Sequence, residues 1–372
     1  MRYDKREIGD LVTLRQGFAI NKKTKHHISE EPTALHLLRI GDMKDGTFSI
    51  YVKDTIPDKF IAKENDIIYT RTGQVGLVFR NQHGVVHNNC FTVTTNDDDV
   101  LLQEFLYYVL QEKAFYEEAN SRATGAAQPD LPHGAFNSIK IFLPPVEKQK
   151  RITDILNTYE QLIKNNQKQI KLLEEAAQRL YKEWFVDLRF PGYEDVKVVD
   201  GVPEGWKKAK VTDFLEVKYG KDHKALANGN TPVYGSGGVM RYVKPILYSG
   251  ESVLIPRKGS LNNILLVSGD FWTIDTMFFS IPKLENVAKY TYLFLKGLDM
   301  YSFNIGAAVP SMTVKILEGI DILHPTDTVL EQFERITSPI FEMKTMLERQ
   351  IKEAEQARDR LLPKLMSGEI EV

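Results

Sequence analysis

From Ile152 onward, apolar residues fall at alternating steps of four and three: Ile152, Leu156, Tyr159, Ile163, Ile170, Leu173, Ala177, Leu180 and Trp184, with Asn166 the one polar member. That spacing is a heptad seam and predicts a long helix. A second seam runs through Phe333, Ile336, Ile340, Met343, Leu347, Ala354, Ala357 and Leu361, with Gln350 as its polar member. No Gly or Pro interrupts 152–184 or 340–361. Helices of about 33 residues reach roughly 50 Å at 1.5 Å per residue, more than a small domain needs to cover its core. The two are expected to pair with each other, Asn166 and Gln350 fixing register. Pro339 is expected to break the second, so that its uninterrupted part starts at Ile340.

Outside the seams the pattern shortens to runs of Val, Ile, Phe and Tyr separated by Gly turns such as "RTGQVG" (71–76) and "YGSGGVM" (234–240), which predict short strands in a mixed α/β fold. These runs occur twice. "GAAQPDL" (125–131) returns as "GAAVPSM" (306–312), 181 residues later. "ENDIIYTRTGQVGLVF" resembles "GESVLIPRKGSLNNILLV", which sets Arg71 against Arg257, 186 residues apart. "IKIFLPP" (139–145) matches "GIDILHP" (319–325), and a seam follows each. The chain therefore reads as a duplicated unit of globular domain plus helix. Its expected segments are a first domain over 1–145, a helix over 146–189, a linker and second domain over 190–325, and a second helix over 326–372. If a pseudo-two-fold axis relates the copies, the helices run antiparallel as a coiled coil and act as a spacer.

Composition narrows the function. A net charge of −2 over 372 residues excludes a wholly basic nucleic-acid coat but permits local basic loops. The single cysteine, Cys90, allows neither an internal disulfide nor a multi-cysteine metal site, and is expected to be buried. No run of about 18 apolar residues occurs, and "MRYDKREIGD" has no apolar leader, so a soluble cytoplasmic protein is expected. Phosphate-loop, dinucleotide, zinc-protease and nucleophile-elbow motifs are absent, as is the Asp/Asn-Pro-Pro-aromatic motif of adenine methyltransferases. Adjacent His26 and His27 are expected to diverge into solvent. No catalytic site, metal site or cofactor site is expected in this chain.

What remains is loop chemistry suited to nucleic acid. "RQGFAINKKTKHH" supplies Arg15, Lys22, Lys23 and Lys25; the next loops add Arg71, Thr72 and Gln74, then Asn88 and Asn89, then Arg122. The second half offers Lys221, Tyr234, Ser236, Arg241, Arg257, Lys258 and Asn262. Lysines neutralise phosphates, while Arg, Gln and Asn match base edges in the major groove.

Three segments carry a family resemblance: "LPPVEKQKRITDILNTYEQLIKNNQKQIKLLEEAAQRLYKEWFVDLRFPG" (143–192), "GNTPVYGSGGVM" (229–240) and "IKEAEQARDRLLPKLMSGEIEV" (351–372). With the duplication, the whole chain resembles the specificity subunit of type I restriction–modification systems. The resemblance implies two target-recognition domains that each read half of a bipartite double-stranded DNA sequence, and a helix pair that sets the gap. It implies two docked methyltransferase subunits that bring S-adenosylmethionine, and restriction/translocase subunits that bring ATP and Mg. Alternatives are a methylation-only system and a scaffold that joins two protein-binding domains.

Overall fold

The computed structural model describes residues 4–304 and 310–372. One compact unit extends to Asn165 and takes in Gln350–Val372; Asn166–Arg349 form a second. In the first, strands β1 (Val12–Gln16), β2 (Ile67–Thr70), β3 (Val78–Phe79) and β4 (Cys90–Thr95) make an antiparallel sheet of order β1-β4-β2-β3. In the second, β5 (Leu215–Tyr219), β6 (Ser252–Pro256), β7 (Leu265–Val267) and β8 (Met277–Pro282) repeat that order as β5-β8-β6-β7. A two-stranded ribbon accompanies each sheet, Asp4–Glu7 with Lys140–Leu143 and Lys207–Lys210 with Asp321–His324. A further sheet in each contains one parallel contact, Leu37 beside Val85 and Val233 beside Trp272. The repeated text thus folds into repeated topology.

Each unit buries its sheet beneath an aromatic core that also takes in the long helices. Helix α1 spans Val146–Tyr181 and continues into a π turn at Lys182–Val186; helix α2 spans Asp327–Ser367. In the first unit, Ile152 and Leu156 of α1 and Leu362, Leu365 and Met366 of α2 join Phe91, Phe105, Tyr108 and Phe136. In the second, Ala177, Tyr181, Trp184 and Phe185 pack with Phe333, Tyr290 and Phe214. Buried Gln149 ties the start of α1 to its domain, accepting from Leu102 N–H at 2.9 Å and donating to the Val100 and Pro144 carbonyls at 2.8 Å. The helices run antiparallel within each unit. Lys148 meets Glu371 at 3.2 Å and Glu160 meets Arg358 at 2.7 Å in the first; Glu174 meets Lys344 at 2.6 Å in the second, where Trp184 packs on Phe333. No helix among the described residues is long and apolar enough to cross a membrane.

Every seam position expected in α1 is buried or half-buried, including Asn166. Helix α2 departs from expectation twice. It continues without a break through Pro339 and Pro363. A proline costs a helix the bond to the carbonyl four residues earlier, and here those carbonyls belong to Arg335 and Asp359, both exposed residues. Water can therefore satisfy the orphaned acceptors. Ile336 and Met343 are also exposed, at 42% and 44%. The buried stripe passes through their neighbours instead: Thr337 hydroxyl donates to the Phe333 carbonyl at 2.8 Å, and the ammonium of largely buried Lys344 reaches Glu174. Polar groups with partners can take core positions that an apolar count assigns elsewhere.

Because Pro339 breaks a bond on the solvent side only, Pro339→Ala should stabilise the chain by about 1–2 kcal/mol, after the loss of proline's stiffening of the unfolded state. Urea unfolding measures this; a lowered midpoint would mean that α2 needs the proline's local geometry.

Candidate nucleic-acid interface

The end of the duplicated segment, Pro129–Leu131 in one copy and Pro310–Met312 in the other, has one structural job in both units: it clamps the Arg-bearing turn. In the first unit the chain leaves β2 at Arg71, and the N–H groups of Arg71 and Thr72 donate to the Asn89 carbonyl at 2.8 and 3.2 Å. The echoed loop closes over it, Leu131 N–H to the Arg71 carbonyl at 2.9 Å and Gly73 N–H to the Pro129 carbonyl at 2.8 Å. In the second, Arg257 and Lys258 N–H donate to the Thr276 carbonyl at 2.8 and 3.2 Å. Met312 N–H reaches the Arg257 carbonyl at 2.9 Å, and Gly259 N–H the Pro310 carbonyl at 3.2 Å. The part of this echo at 306–309 lies outside the described residues. A third strut comes from Gly17 and Gly220, whose N–H groups bond the Cys90 and Met277 carbonyls at 3.1 and 3.0 Å. A Cβ at Gly17 would fall 2.2 Å from the His87 carbonyl oxygen, and one at Gly220 2.0 Å from that of Ile274. Only glycine lets the strands approach so closely.

Around the first turn the side chains form a network. Arg71 donates through Nε and Nη2 to both Asp130 oxygens at 3.2 and 2.6 Å, and through Nη1 to Gln16 Oε1 at 3.0 Å. Thr72 hydroxyl also donates to Asp130, and Gln16 in turn donates to the Asn88 carbonyl at 2.6 Å. The Arg71 hydrogen bond, helped by Thr72, holds the Asp130 carboxyl below the usual range against its partial burial. Burial, with the positive charge of Arg39, lowers the His87 pKa, and its Nδ1 lies 3.4 Å from Asn89 N–H. Gln74 is exposed on the turn, and Asn88 and Asn89 support it through their backbones.

Lys22, Lys23 and Lys25 are exposed on a separate loop that also presents Lys53, whose N–H bonds the His27 carbonyl at 2.8 Å. His26 and His27 do not diverge: their rings lie 4.1 Å apart, because both sit in the 3-10 turn Lys25–His27 with Phe18 packed edgewise on His27. Two arginines stand apart from the Arg71 turn. Strand alternation turns Arg15 away from Gln16, onto Asp66 at 2.6 Å. Arg122 pairs with Glu118 at 2.6 Å and lines a depression with Lys5 and Met366.

In the second unit the hairpin tip meets the turn: Asn263 donates to the Ser236 carbonyl at 2.8 Å. Lys258 and Lys221 are exposed, and Tyr234 is half-buried. Asn262 holds the next segment, accepting from Met300 N–H at 2.7 Å. Arg241 clamps its own hairpin through the Leu226 carbonyl and Asn228 Oδ1, both at 2.8 Å. Sequence reasoning missed Gln16 and Asp130, and also Tyr219 and Tyr301, exposed at 55% and 43% beside the second turn. The Tyr301 hydroxyl donates to the Gly259 carbonyl at 3.3 Å. Burial pushes the Cys90 thiol up to about 12, which makes it an inert core residue. Among the described residues no group of His, Cys, Asp or Glu is placed to hold a metal ion.

The family model for the type I restriction modification DNA specificity domain matches residues 2–175 and 203–354. The specificity subunit of the MjaIX type I restriction enzyme of Methanocaldococcus jannaschii is 26% identical over 343 residues, covering 84% of this chain and 79% of that protein. The specificity subunit of the HindI enzyme of Haemophilus influenzae is 21% identical over 406 residues, covering 83% and 87%. In fold, the chain is similar to the crystal structure of a type I restriction–modification system S subunit from M. genitalium, with a TM-score of 0.61, 17% identity, and coverage of 98% and 96%.

The depressed Asp130 carboxyl has a stability consequence with a definite sign. Its contribution is present above the unfolded-state pKa, about 3.9, and is lost as pH falls through the lower folded value. Asp130→Asn should therefore lower the urea midpoint at pH 7, and the deficit should shrink below about pH 4. A deficit that stays constant down to pH 2.5 would mean that the Arg71 pair contributes nothing as an ion pair.

Proposed function

The chain belongs to the type I restriction–modification DNA specificity family, and we propose that its two globular domains each read one half of a bipartite double-stranded DNA target. It is a DNA-recognising specificity subunit; the division of labour below is our reading. Residues 1–145 and 190–325 are taken as the two readers, and 146–189 and 326–372 as the helices that set the gap between half-sites. The observation that carries this is the clamped Arg turn, built twice from the same backbone bonds. Two copies of one scaffold with different side chains suit two different short sequences read by one protein.

Exposed Gln74 and Lys258 on the turns, Lys221 in the second domain, and Lys22, Lys23 and Lys25 on a separate loop of the first supply the charge and amides that phosphates and base edges accept. Two methyltransferase subunits would bring S-adenosylmethionine, and restriction/translocase subunits ATP and Mg, to DNA held in this way in the cytoplasm. Support for protein docking comes from α2, which leaves Ile336, Met343 and Met346, on one helix face by their spacing, between 42% and 44% exposed. Exposed apolar side chains grouped on one helix face suit a surface that partners cover.

The test is co-purification with the methyltransferase subunits, followed by sequencing of methylated adenines. A two-part motif with a fixed gap is expected; a continuous motif would defeat the bipartite reading. Inserting seven residues after Asn166, with seven more before Lys352 to keep the antiparallel partners in step, should lengthen the gap by about three base pairs, since seven helical residues add roughly 10 Å. An unchanged gap would remove the helices from that role. Binding by the assembled complex should also weaken at least about tenfold between 50 and 200 mM salt, as release of several phosphate counterions requires. Salt-insensitive binding would take the lysine loops out of the interface.

A further inference from the structure

Because the two turns are built alike, a difference between them is informative. Asp130 occupies the position before Leu131, and the corresponding position before Met312 is Ser311. The equivalence is structural: Asp130 bridges to Thr72 as Ser311 bridges to Lys258, and the next residue bonds the Arg carbonyl at 2.9 Å in both units. Gln16 and Tyr219 correspond in the same way, each preceding the glycine that approaches the neighbouring strand. Both residues that engage the Arg71 side chain are therefore replaced in the second unit.

The effect on the guanidinium is direct. All three nitrogens of Arg71 donate, to Asp130 and Gln16, and its side chain is 20% exposed. Among the described residues no carboxylate pairs with Arg257. It donates through Nη1 to the Asp275 carbonyl at 3.1 Å and lies 5.4 Å from the centroid of the Tyr219 ring. A cation held over an aromatic face keeps its in-plane N–H donors directed outward. Two such donors on one rigid fork match O6 and N7 of guanine in the major groove. Exposed Tyr219 and Tyr301 offer flat surfaces that fit bases, not phosphates.

We propose that Arg257, supported on Tyr219, reads a guanine edge for the second domain, while Arg71 is a positioning residue that Asp130 withholds from DNA. This rests on the DNA-reading function above and assigns its bases asymmetrically. The experiment uses the full chain co-purified with its methyltransferase subunits, a randomised duplex library as probe, and sequencing of the bound fraction. Arg257→Ala should relax the preference for one G·C pair in one half-site by roughly ten- to a hundredfold, leaving the other half-site unchanged. Ser311→Asp should relax the same pair by supplying the carboxylate that the first unit already has. Tyr219→Phe should keep the preference and Tyr219→Ala weaken it, so that support by the ring is separated from simple misfolding. Arg71→Ala should lower the thermal midpoint without relaxing any single base pair. Equal loss across all sequences with Arg257→Ala would make it a phosphate contact and overturn the proposal. So would a single-pair relaxation with Arg71→Ala as large as that with Arg257→Ala. A wild-type complex that enriches no sequence would instead sink the DNA-reading function itself.

Discussion

The hydrogen bonds from Leu131 N–H to the Arg71 carbonyl and from Met312 N–H to the Arg257 carbonyl decide where each Arg-bearing turn stands. Both turns leave the end of a central strand and would otherwise extend into solvent with unsatisfied backbone groups. The clamp loop satisfies them and fixes the turn against a sheet whose Tyr69 and Phe91, or Phe278, are fully buried. Each bond is worth only about 1 kcal/mol net. Their value lies in geometry, because three separate stretches of chain must meet for the turn to form, and each is held by backbone atoms.

The helices depend on the domains in the same concrete sense. Lys289, on the helix Ala288–Lys296, reaches Glu251 at 2.7 Å and Glu334 of α2 at 2.6 Å, with only 8% of its side chain exposed. Ser338 hydroxyl donates to the same Glu334 oxygen at 2.7 Å, while the other oxygen has no partner among the described residues. Such a site adds little net stability over an apolar one, but removing one member leaves a buried charge uncompensated, at a cost of about 3–5 kcal/mol. The aromatic cluster of Tyr181, Trp184, Phe185 and Phe333 supplies the cohesive part of the same contact. The ion triad therefore contributes mainly alignment: α2 fits its domain only with Glu334 facing Lys289.

Much of this was legible from spacing alone. The seam of α1 could be read because every position the heptad count picks out is buried or half-buried, although buried Gln149 and Thr153 lie outside that count. In α2 the count and the buried stripe separate at Thr337 and Lys344, where a hydroxyl bonded to its own backbone and a paired ammonium take inward positions. A hydropathy pattern sees neither partner. The duplication and the Arg71–Arg257 equivalence were visible because strand, turn and Gly recur in order. Asp130 and Tyr219 were not singled out as site residues because their importance is non-local: Asp130 lies 59 residues from Arg71 in sequence, and Tyr219 meets Arg257 across the sheet. Unequal insertions between the copies also hide the Gln16–Tyr219 match, since Gly17 and Gly220 are offset differently from the arginines.

The same geometry lets one backbone scaffold carry two different sets of side chains. The contacts that place each turn run through carbonyls of residues 71, 89, 129, 257, 276 and 310 and through N–H groups, so they are indifferent to the side chains projecting outward. Positions such as Thr72 and Lys258, or Asp130 and Ser311, differ between the copies while the backbone bonds around them keep nearly the same lengths. What cannot vary is small: a residue without Cβ at Gly17 and Gly220, and an inward apolar side chain at Leu131 and Met312, both fully buried. Changing what a turn contacts therefore costs little stability, whereas changing what holds it costs the whole surface. That separation of holding atoms from outward side chains lets the charge balance differ sharply between two otherwise matching turns, one arginine neutralised by a carboxylate and the other, among the described residues, not.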